Sequence, residues 1–160
     1  MTPQRIIWHH SGINSLDPQF EKINLYHKTR KFHRSTLGFF VGYHYIIEPR
    51  GTVRQARNED ETGAHDQGEN INSLGICLAG DFNVNLPLDM QISAATILLG
   101  QIRSRWNIPI ARIEPHRWDD ETDCPGTRLA DNWLVSEFLK RSSDPLTRTY
   151  YALGTRLKLL

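Results

Sequence analysis

The sequence contains no long apolar run. A helix that crosses a bilayer needs about 18 consecutive apolar residues, and no such segment occurs among the 160 residues, so we expect no membrane span. The opening residues, MTPQRIIWHH, also lack an apolar core followed by a small-residue cleavage site. We expect synthesis in the cytoplasm without a signal peptide, so that any action outside the cell follows release or export by another route.

Neither sign of charge is in excess. Nineteen Lys and Arg residues against eighteen Asp and Glu residues give a formal net charge of +1. The basic residues are scattered, whereas a domain that binds nucleic acid carries a basic excess on one element. We therefore expect no nucleic-acid partner. No residue pattern addresses the oligomeric state, for which a monomer is the expectation.

Cysteine is scarce. Cys77 and Cys124 are the only two, too few for a disulfide framework, and we expect no bond between them in a reducing compartment. Cys77 alternates with Ile76 and Leu78 in SLGICLAG, so we expect it in the core. Cys124 lies among acids in IEPHRWDDETDCPG, where packing explains a thiol poorly. Those acids would raise the pKa of the thiol, and a bound divalent cation would lower it.

One α/β domain accounts for most of the chain. Strand-like and helix-like segments are interleaved around one hairpin, which predicts a single domain with a mixed central β-sheet flanked by helices. We place this domain at residues 1–141 and a C-terminal tail or docked segment at 142–160. The predicted strands are Arg5–His9, Tyr43–Glu48, Thr52–Gln55 and Leu74–Ala79. The first predicted helix is capped by Asp17, has Pro18 at its start and carries Phe20, Ile23 and His27 on one face. The second has the apolar stripe Ile92, Ala95, Leu98, Leu99, Ile102 and Trp106, and the last spans Leu129–Arg141.

His116 and Cys124 lie on one polar loop with seven residues between them, the pattern H-x7-C. Zinc is held by neutral imidazole and thiolate, and a catalytic zinc has three protein ligands with one position left for water. The third ligand must come from elsewhere, and the histidines that end the first strand, His9 and His10, are the obvious source. Since side chains alternate along a strand, the two histidines face opposite ways. The spacing of His116 and Cys124 is by itself a weak signal.

Four stretches then occur in order: IIWHHSG, VGYHYIIEPRGTV, GAHDQGENINSLGICLAGDF and PHRWDDETDCPGTRL. Together they resemble the zinc-dependent N-acetylmuramoyl-L-alanine amidases of the type 2 family, which includes phage lysozyme-like endolysins and peptidoglycan recognition proteins. The resemblance covers the chain from Ile6 to Leu139. It implies a domain that uses one zinc ion to hydrolyse the amide bond between N-acetylmuramic acid and L-alanine in bacterial peptidoglycan, and so acts on the cell wall.

The resemblance also implies roles for individual residues. It makes His9, His116 and Cys124 the zinc ligands. Tyr43, in the GYH motif, matches a tyrosine that lies beside the metal. Thr122 matches a position that completes the site and is lysine in some members and threonine in others.

Plainer roles stay open for several of these residues. His10 could replace His9 as the ligand, Tyr43 could be a half-buried aromatic residue, and Thr122 could only cap its loop. The acids between His116 and Cys124 are expected to form a solvated loop with one hydrogen bond to a ligand histidine. The sequence offers no obvious general base.

The loop GAHDQGENINS carries the residues predicted to bind the peptide stem, His65 and Asn72. His65 matches a family histidine that faces the substrate groove, and a structural or solvated His65 is the alternative. Recycling amidases of the family carry glutamate where Cys77 stands and aspartate as the last zinc ligand. The chain therefore resembles the phage lysozyme-like branch more closely.

A second function is compatible with the same fold. Some recognition proteins bind muropeptides without hydrolysing them, and such members typically lack the cysteine ligand, which this chain has at Cys124. A structural zinc would need a fourth protein ligand, and no spare cysteine is placed to supply it. The ligand set therefore favours the enzyme over a binding module.

Overall fold

A computed structural model describes residues 1–142, which form one mixed five-stranded sheet with helices on both faces. The predicted tail is 142–160; its first residue, Ser142, ends the last helix, and residues 143–160 lie outside the described residues. The strands are β1 (Arg5–His10), β2 (Tyr45–Ile47), β3 (Val53–Gln55), β4 (Ser73–Leu78) and β5 (Ile113–Pro115), and the helices are α1 (Phe20–Thr29), α2 (Asp89–Trp106) and α3 (Trp133–Ser142), with 3-10 turns at Ile110–Arg112 and His116–Trp118. The α/β prediction is confirmed.

The sheet has the strand order β3-β2-β4-β1-β5. β4 is the middle strand. β1 lies between β4 and β5 and runs parallel to both, while β2 and β3 form the antiparallel hairpin. The register sets His9 beside Cys77 and His10 beside Leu78. The carboxyl end of β1 therefore presents two histidines next to the end of β4.

The two faces of the sheet differ in composition. The core face carries Ile6, Trp8, Leu74, Ile76 and Leu78, which pack with apolar residues of α2 and α3 in the larger hydrophobic cluster. The mixed face carries Arg5, His9, Ser73, Cys77 and Glu114, all buried. Near the hairpin, Cys77 joins residues of α1 in a smaller apolar cluster, which confirms it as a core residue.

Helix α1 begins later than the sequence predicts. Asp17 does not cap it; the first helical residue is Phe20. The carboxylate of Glu48, which follows β2, accepts hydrogen bonds from the backbone N–H groups of Gln19 at 2.7 Å and Phe20 at 3.0 Å. A carboxylate at a helix N-terminus satisfies free N–H groups and complements the helix dipole. The predicted cap was wrong because a side chain distant in sequence occupies that place.

Two further boundaries differ from the prediction by more than one residue. The strand predicted from Tyr43 is shorter and begins at Tyr45, so Tyr43 lies in the bend before β2. The last helix begins at Trp133 rather than Leu129. Leu129 instead ends a turn, in which its N–H donates to the Gly126 carbonyl, and its side chain is buried. No helix within residues 1–142 is long and apolar enough to cross a membrane.

Candidate metal centre and active site

His9 and His10 face opposite ways at the end of β1. His9 is 1% exposed, and its Nδ1 lies 3.7 Å from the Sγ of Cys124. Its ring centroid is 4.4 Å from that of His116. The Nδ1 of His10 instead accepts a hydrogen bond from the backbone N–H of Phe82 at 3.1 Å. The structure thus brings His9, and not His10, to the loop that carries His116 and Cys124.

His116 follows β5 directly and points one nitrogen at this loop. Its Nε2 lies 3.1 Å from a carboxylate oxygen of Asp120, the contact expected between the acidic loop and a histidine. Its Nδ1 is buried and has no hydrogen-bond partner. Buried polar atoms are almost always paired, so an unpaired imidazole nitrogen beside His9 and Cys124 fits a metal ligand.

The ligand atoms of His9, His116 and Cys124 all lie within 4.8 Å of one another. Burial lowers the pKa of both histidines, which keeps their imidazoles neutral and able to ligate. Burial also raises the pKa of the Cys124 thiol to about 12. From the sequence we expected the neighbouring acids to raise this pKa, but desolvation is the main cause. A divalent cation would supply the positive charge that a buried thiolate requires.

A chain of hydrogen bonds fixes the tautomer of His9. The Ser73 hydroxyl donates to the Glu69 carbonyl at 2.7 Å, so its oxygen is free to accept from the Nε2 of His65 at 3.5 Å. The Nδ1 of His65 is then an acceptor and lies 3.1 Å from the Nε2 of His9. His9 therefore carries its proton on Nε2, and its Nδ1 lone pair faces Cys124.

His65 is buried beneath His9, with 9% of its surface exposed, rather than lining an open groove. Two glycines make room for its ring. A Cβ atom at Gly63 or at Gly75 would lie 2.5 Å from the imidazole. The ring thus packs flat against the backbone of β4, which no larger residue at position 75 would permit.

Tyr43 and Thr122 each contact one residue of this cluster. The Tyr43 ring centroid is 5.0 Å from that of His9. Burial raises the pKa of the Tyr43 phenol well above its ordinary value, and the Cys77 and Cys124 thiols add to the shift. Thr122 is exposed, and its hydroxyl accepts the backbone N–H of Cys124 at 3.2 Å. Thr122 therefore makes the hydrogen bond expected of a residue that caps its loop.

The structure does not bring Asn72 to this cluster. Asn72 precedes β4, whose first residue, Ser73, pairs with Arg5, while His9 pairs with Cys77. Four residues of strand separate the two places, about 13 Å at the usual rise of a strand. Asn72 therefore lies away from the metal centre, and its binding of the peptide stem stays a prediction.

Sequence reasoning missed Asp66. Its side chain is 3% exposed, and neither carboxylate oxygen has a hydrogen-bond partner. Burial and the charge of Asp119 raise the pKa of the Asp66 carboxyl to about 7. An acid in a polar loop ordinarily reads as solvated, so nothing in the local sequence signals its burial.

The chain is similar to known proteins over most of its length. The family described as N-acetylmuramoyl-L-alanine amidase matches residues 1–127. The chain belongs to this family. Among curated relatives, the endolysin of Klebsiella phage KP32 is 43% identical over 117 residues, covering 69% of this chain and 75% of that protein. Peptidoglycan-recognition protein SC2 of Drosophila melanogaster is 32% identical over 123 residues, covering 76% of this chain and 67% of that protein.

Solved structures of amidases and recognition proteins share the fold. The amidase LysC from Clostridium intestinale superposes with a TM-score of 0.70 at 26% identity, covering 98% of this chain and 88% of that one. A mutant of Drosophila PGRP-LB in complex with tracheal cytotoxin gives a TM-score of 0.70 at 25% identity, covering 91% and 83%. The family thus contains both hydrolases and peptidoglycan recognition proteins, and the ligand set bears on which of the two this chain is.

Proposed function

We propose that this protein is a zinc-dependent amidase that cleaves the bond between N-acetylmuramic acid and L-alanine in peptidoglycan. The observation that carries the proposal is the convergence of the Cys124 thiol, the His9 Nδ1 and the orphaned His116 Nδ1. Two imidazoles and a thiolate are a zinc ligand set, and three protein ligands leave a position open for chemistry. When bound there, zinc would activate water and polarise the amide carbonyl.

The chain's own residues hold this ligand set in place. His65 acts on His9, rather than on substrate, by accepting its Nε2 proton and so turning the Nδ1 lone pair toward Cys124. Asp120 does the same for His116 at Nε2. Such partners of ligand histidines fix both the tautomer and the ring orientation. Thr122 holds the Cys124 backbone through its hydroxyl and so sets where the thiol points.

Tyr43 is the proposed donor to the oxyanion that forms when the amide carbonyl is attacked. Its ring lies against His9, and because burial raises its pKa the phenol keeps its proton at neutral pH. A protonated donor held in a water-poor site stabilises developing negative charge at little cost of reorganisation.

The substrate assignment rests on family membership together with the ligand set. Endolysins and peptidoglycan recognition proteins are both relatives of this chain. Retention of Cys124 favours hydrolysis over binding alone, because a module that only binds has no need of an open metal position.

Digestion of purified peptidoglycan with the zinc-loaded protein tests this function. The expected products are new N-terminal alanine groups with no increase in reducing ends. The Cys124→Ala variant, assayed alongside, should release neither. Reducing ends without N-terminal alanine would indicate a glycosidase, and binding to the wall without any product would indicate a recognition module; either result would overturn the proposal.

A further inference from the structure

The buried carboxylate of Asp66 has no role in the proposed amidase reaction. It is 3% exposed, and both of its oxygens lack a hydrogen-bond partner. A carboxylate in such surroundings is costly unless a proton, a cation or a set of donors compensates it. Because neither oxygen has a protein donor, either a proton or a bound cation must compensate the charge.

The side chains around Asp66 are mostly acidic. Oxygen or nitrogen ligand atoms of Asp66, Asp120 and His116 all lie within 4.8 Å of one another. Asp119 stands beside them, close enough to influence Asp66 electrostatically. The surplus of carboxylates over nearby positive groups favours a cation.

Arg5 is the nearby positive group, and it is bonded elsewhere. Its guanidinium makes ion pairs with Glu69 at 3.1 Å and Glu114 at 2.7 Å, and a third with Asp119. No hydrogen bond joins it to Asp66, whose oxygens have no partner. Arg5 thus compensates other acids and leaves Asp66 and Asp120 facing His116.

We propose that Asp66, Asp120 and His116 form a second divalent-cation site beside the proposed catalytic one. The mixed oxygen and nitrogen ligands suit zinc or a related transition-metal ion better than calcium or magnesium, which prefer oxygen alone. The ion takes the place of the Nε2 proton that His116 shares with Asp120, and that proton leaves to solvent. His116 then bridges two ions, with Nδ1 toward His9 and Cys124 and Nε2 toward Asp66 and Asp120.

A proton shared between the Asp66 and Asp119 carboxyls is the alternative to a cation, because it would also neutralise the buried charge of Asp66. The two occupants make opposite predictions for Asp66→Asn, because the amide resembles a protonated acid in shape and charge. If a proton normally sits there, the variant leaves metal binding unchanged. If a cation sits there, the variant removes one binding event and leaves the other.

Equilibrium dialysis against buffered free zinc, from nanomolar to about 100 µM, separates these outcomes. Wild-type protein should bind one zinc ion in a tight step and a second in a weaker step, and Asp66→Asn should lose only the weaker step. The matched control is Asp17→Asn, an exposed acid remote in sequence from the site, which should retain both steps. The wild-type titration requires no substitution, so it tests the inference even if the Asp66 variant does not fold.

Two results would overturn the second site: a wild-type titration that saturates at one ion, or a second step that persists unchanged in Asp66→Asn. Absence of the tight step would instead contradict the catalytic centre formed by His9, His116 and Cys124. Failure of the two proposals is therefore distinguishable within one experiment.

Discussion

The two faces of β1 are buried to the same extent but contain different chemistry. On the core face Ile6 and Trp8 are fully buried among the apolar side chains of the larger cluster. On the mixed face Arg5 and His9 are 6% and 1% exposed and are surrounded by carboxylates and imidazoles. Burial alone therefore does not distinguish the residues that hold the fold together from those that perform chemistry.

What distinguishes the faces is whether a buried, unpaired polar atom has a lone pair that can hold a cation. The indole Nε1 of Trp8, on the core face, also lacks a partner, but it can only donate. Burying an unpaired polar group costs free energy, and native proteins avoid it. Arg5 is compensated by three carboxylates, whereas the Nδ1 of His116 and the oxygens of Asp66 are not paired at all. These orphaned atoms lie at one end of the mixed face and mark where ions would bind.

The sharpest test of this comparison uses the two cysteines. Cys124→Ala should lose zinc and reduce turnover by about three orders of magnitude or more, because a catalytic metal supplies several kcal/mol of transition-state stabilisation. Cys77→Ala should keep zinc and activity and lose only about 1 kcal/mol of stability from a small cavity. Turnover on a soluble muropeptide and urea unfolding measure the two effects. Equal loss of activity in both variants would contradict the separation of roles.

Tyr43→Phe should reduce turnover by about two to three orders of magnitude, the effect of removing one oxyanion donor. The change deletes only the hydroxyl, so the ring packing against His9 and the bound zinc should remain. Steady-state kinetics together with metal analysis of the same sample provide the check. A variant with unchanged kcat would reduce Tyr43 to a packing residue.

His65→Ala should weaken zinc binding about 10- to 100-fold, the usual cost of removing the partner of a ligand histidine. Gly75→Ala should have a similar effect without altering any polar group, because the new Cβ would displace the His65 ring. Competition with a chromogenic chelator measures the affinity. If both variants bind zinc like the wild type, His65 does not position His9.

The pH dependence of stability should follow the buried histidines. Burial lowers the pKa of His44 from 6.5 to about 4. Since the folded-state pKa is depressed, the unfolded chain takes up the proton first as pH falls. This contribution to stability is present above about pH 6.5 and is lost progressively toward pH 4, on the order of a few kcal/mol. Urea unfolding of zinc-free protein at pH 7.0 and pH 4.5 provides the test, and a midpoint that stays constant would contradict the neutral buried state.

Much of this architecture could be predicted from the sequence because it depends on local patterns. Short apolar runs predicted strands β1 and β4, and the helical stripe predicted α2. The order of the motifs placed His9, His116 and Cys124 in one site, and the structure brings their ligand atoms within 4.8 Å.

The features that could not be predicted depend on contacts between distant segments. Glu48 caps α1 from the turn of the hairpin, and nothing near Asp17 indicates that another residue caps the helix in its place. His65 and Asp66 lie in a polar loop that reads as solvated, yet both are buried. The separation of Asn72 from His9 depends on the register of β4 against β1, which local sequence patterns do not reveal.

The most direct measurement is the zinc content of two neighbouring variants, His9→Ala and His10→Ala, after dialysis at neutral pH. The residues are adjacent in β1 but face opposite ways, His9 toward Cys124 and His10 toward Phe82. Wild type and His10→Ala should retain one zinc ion per chain, and His9→Ala should retain none. Zinc retained by His9→Ala, or lost from His10→Ala alone, would contradict the assignment of the metal centre to the mixed face.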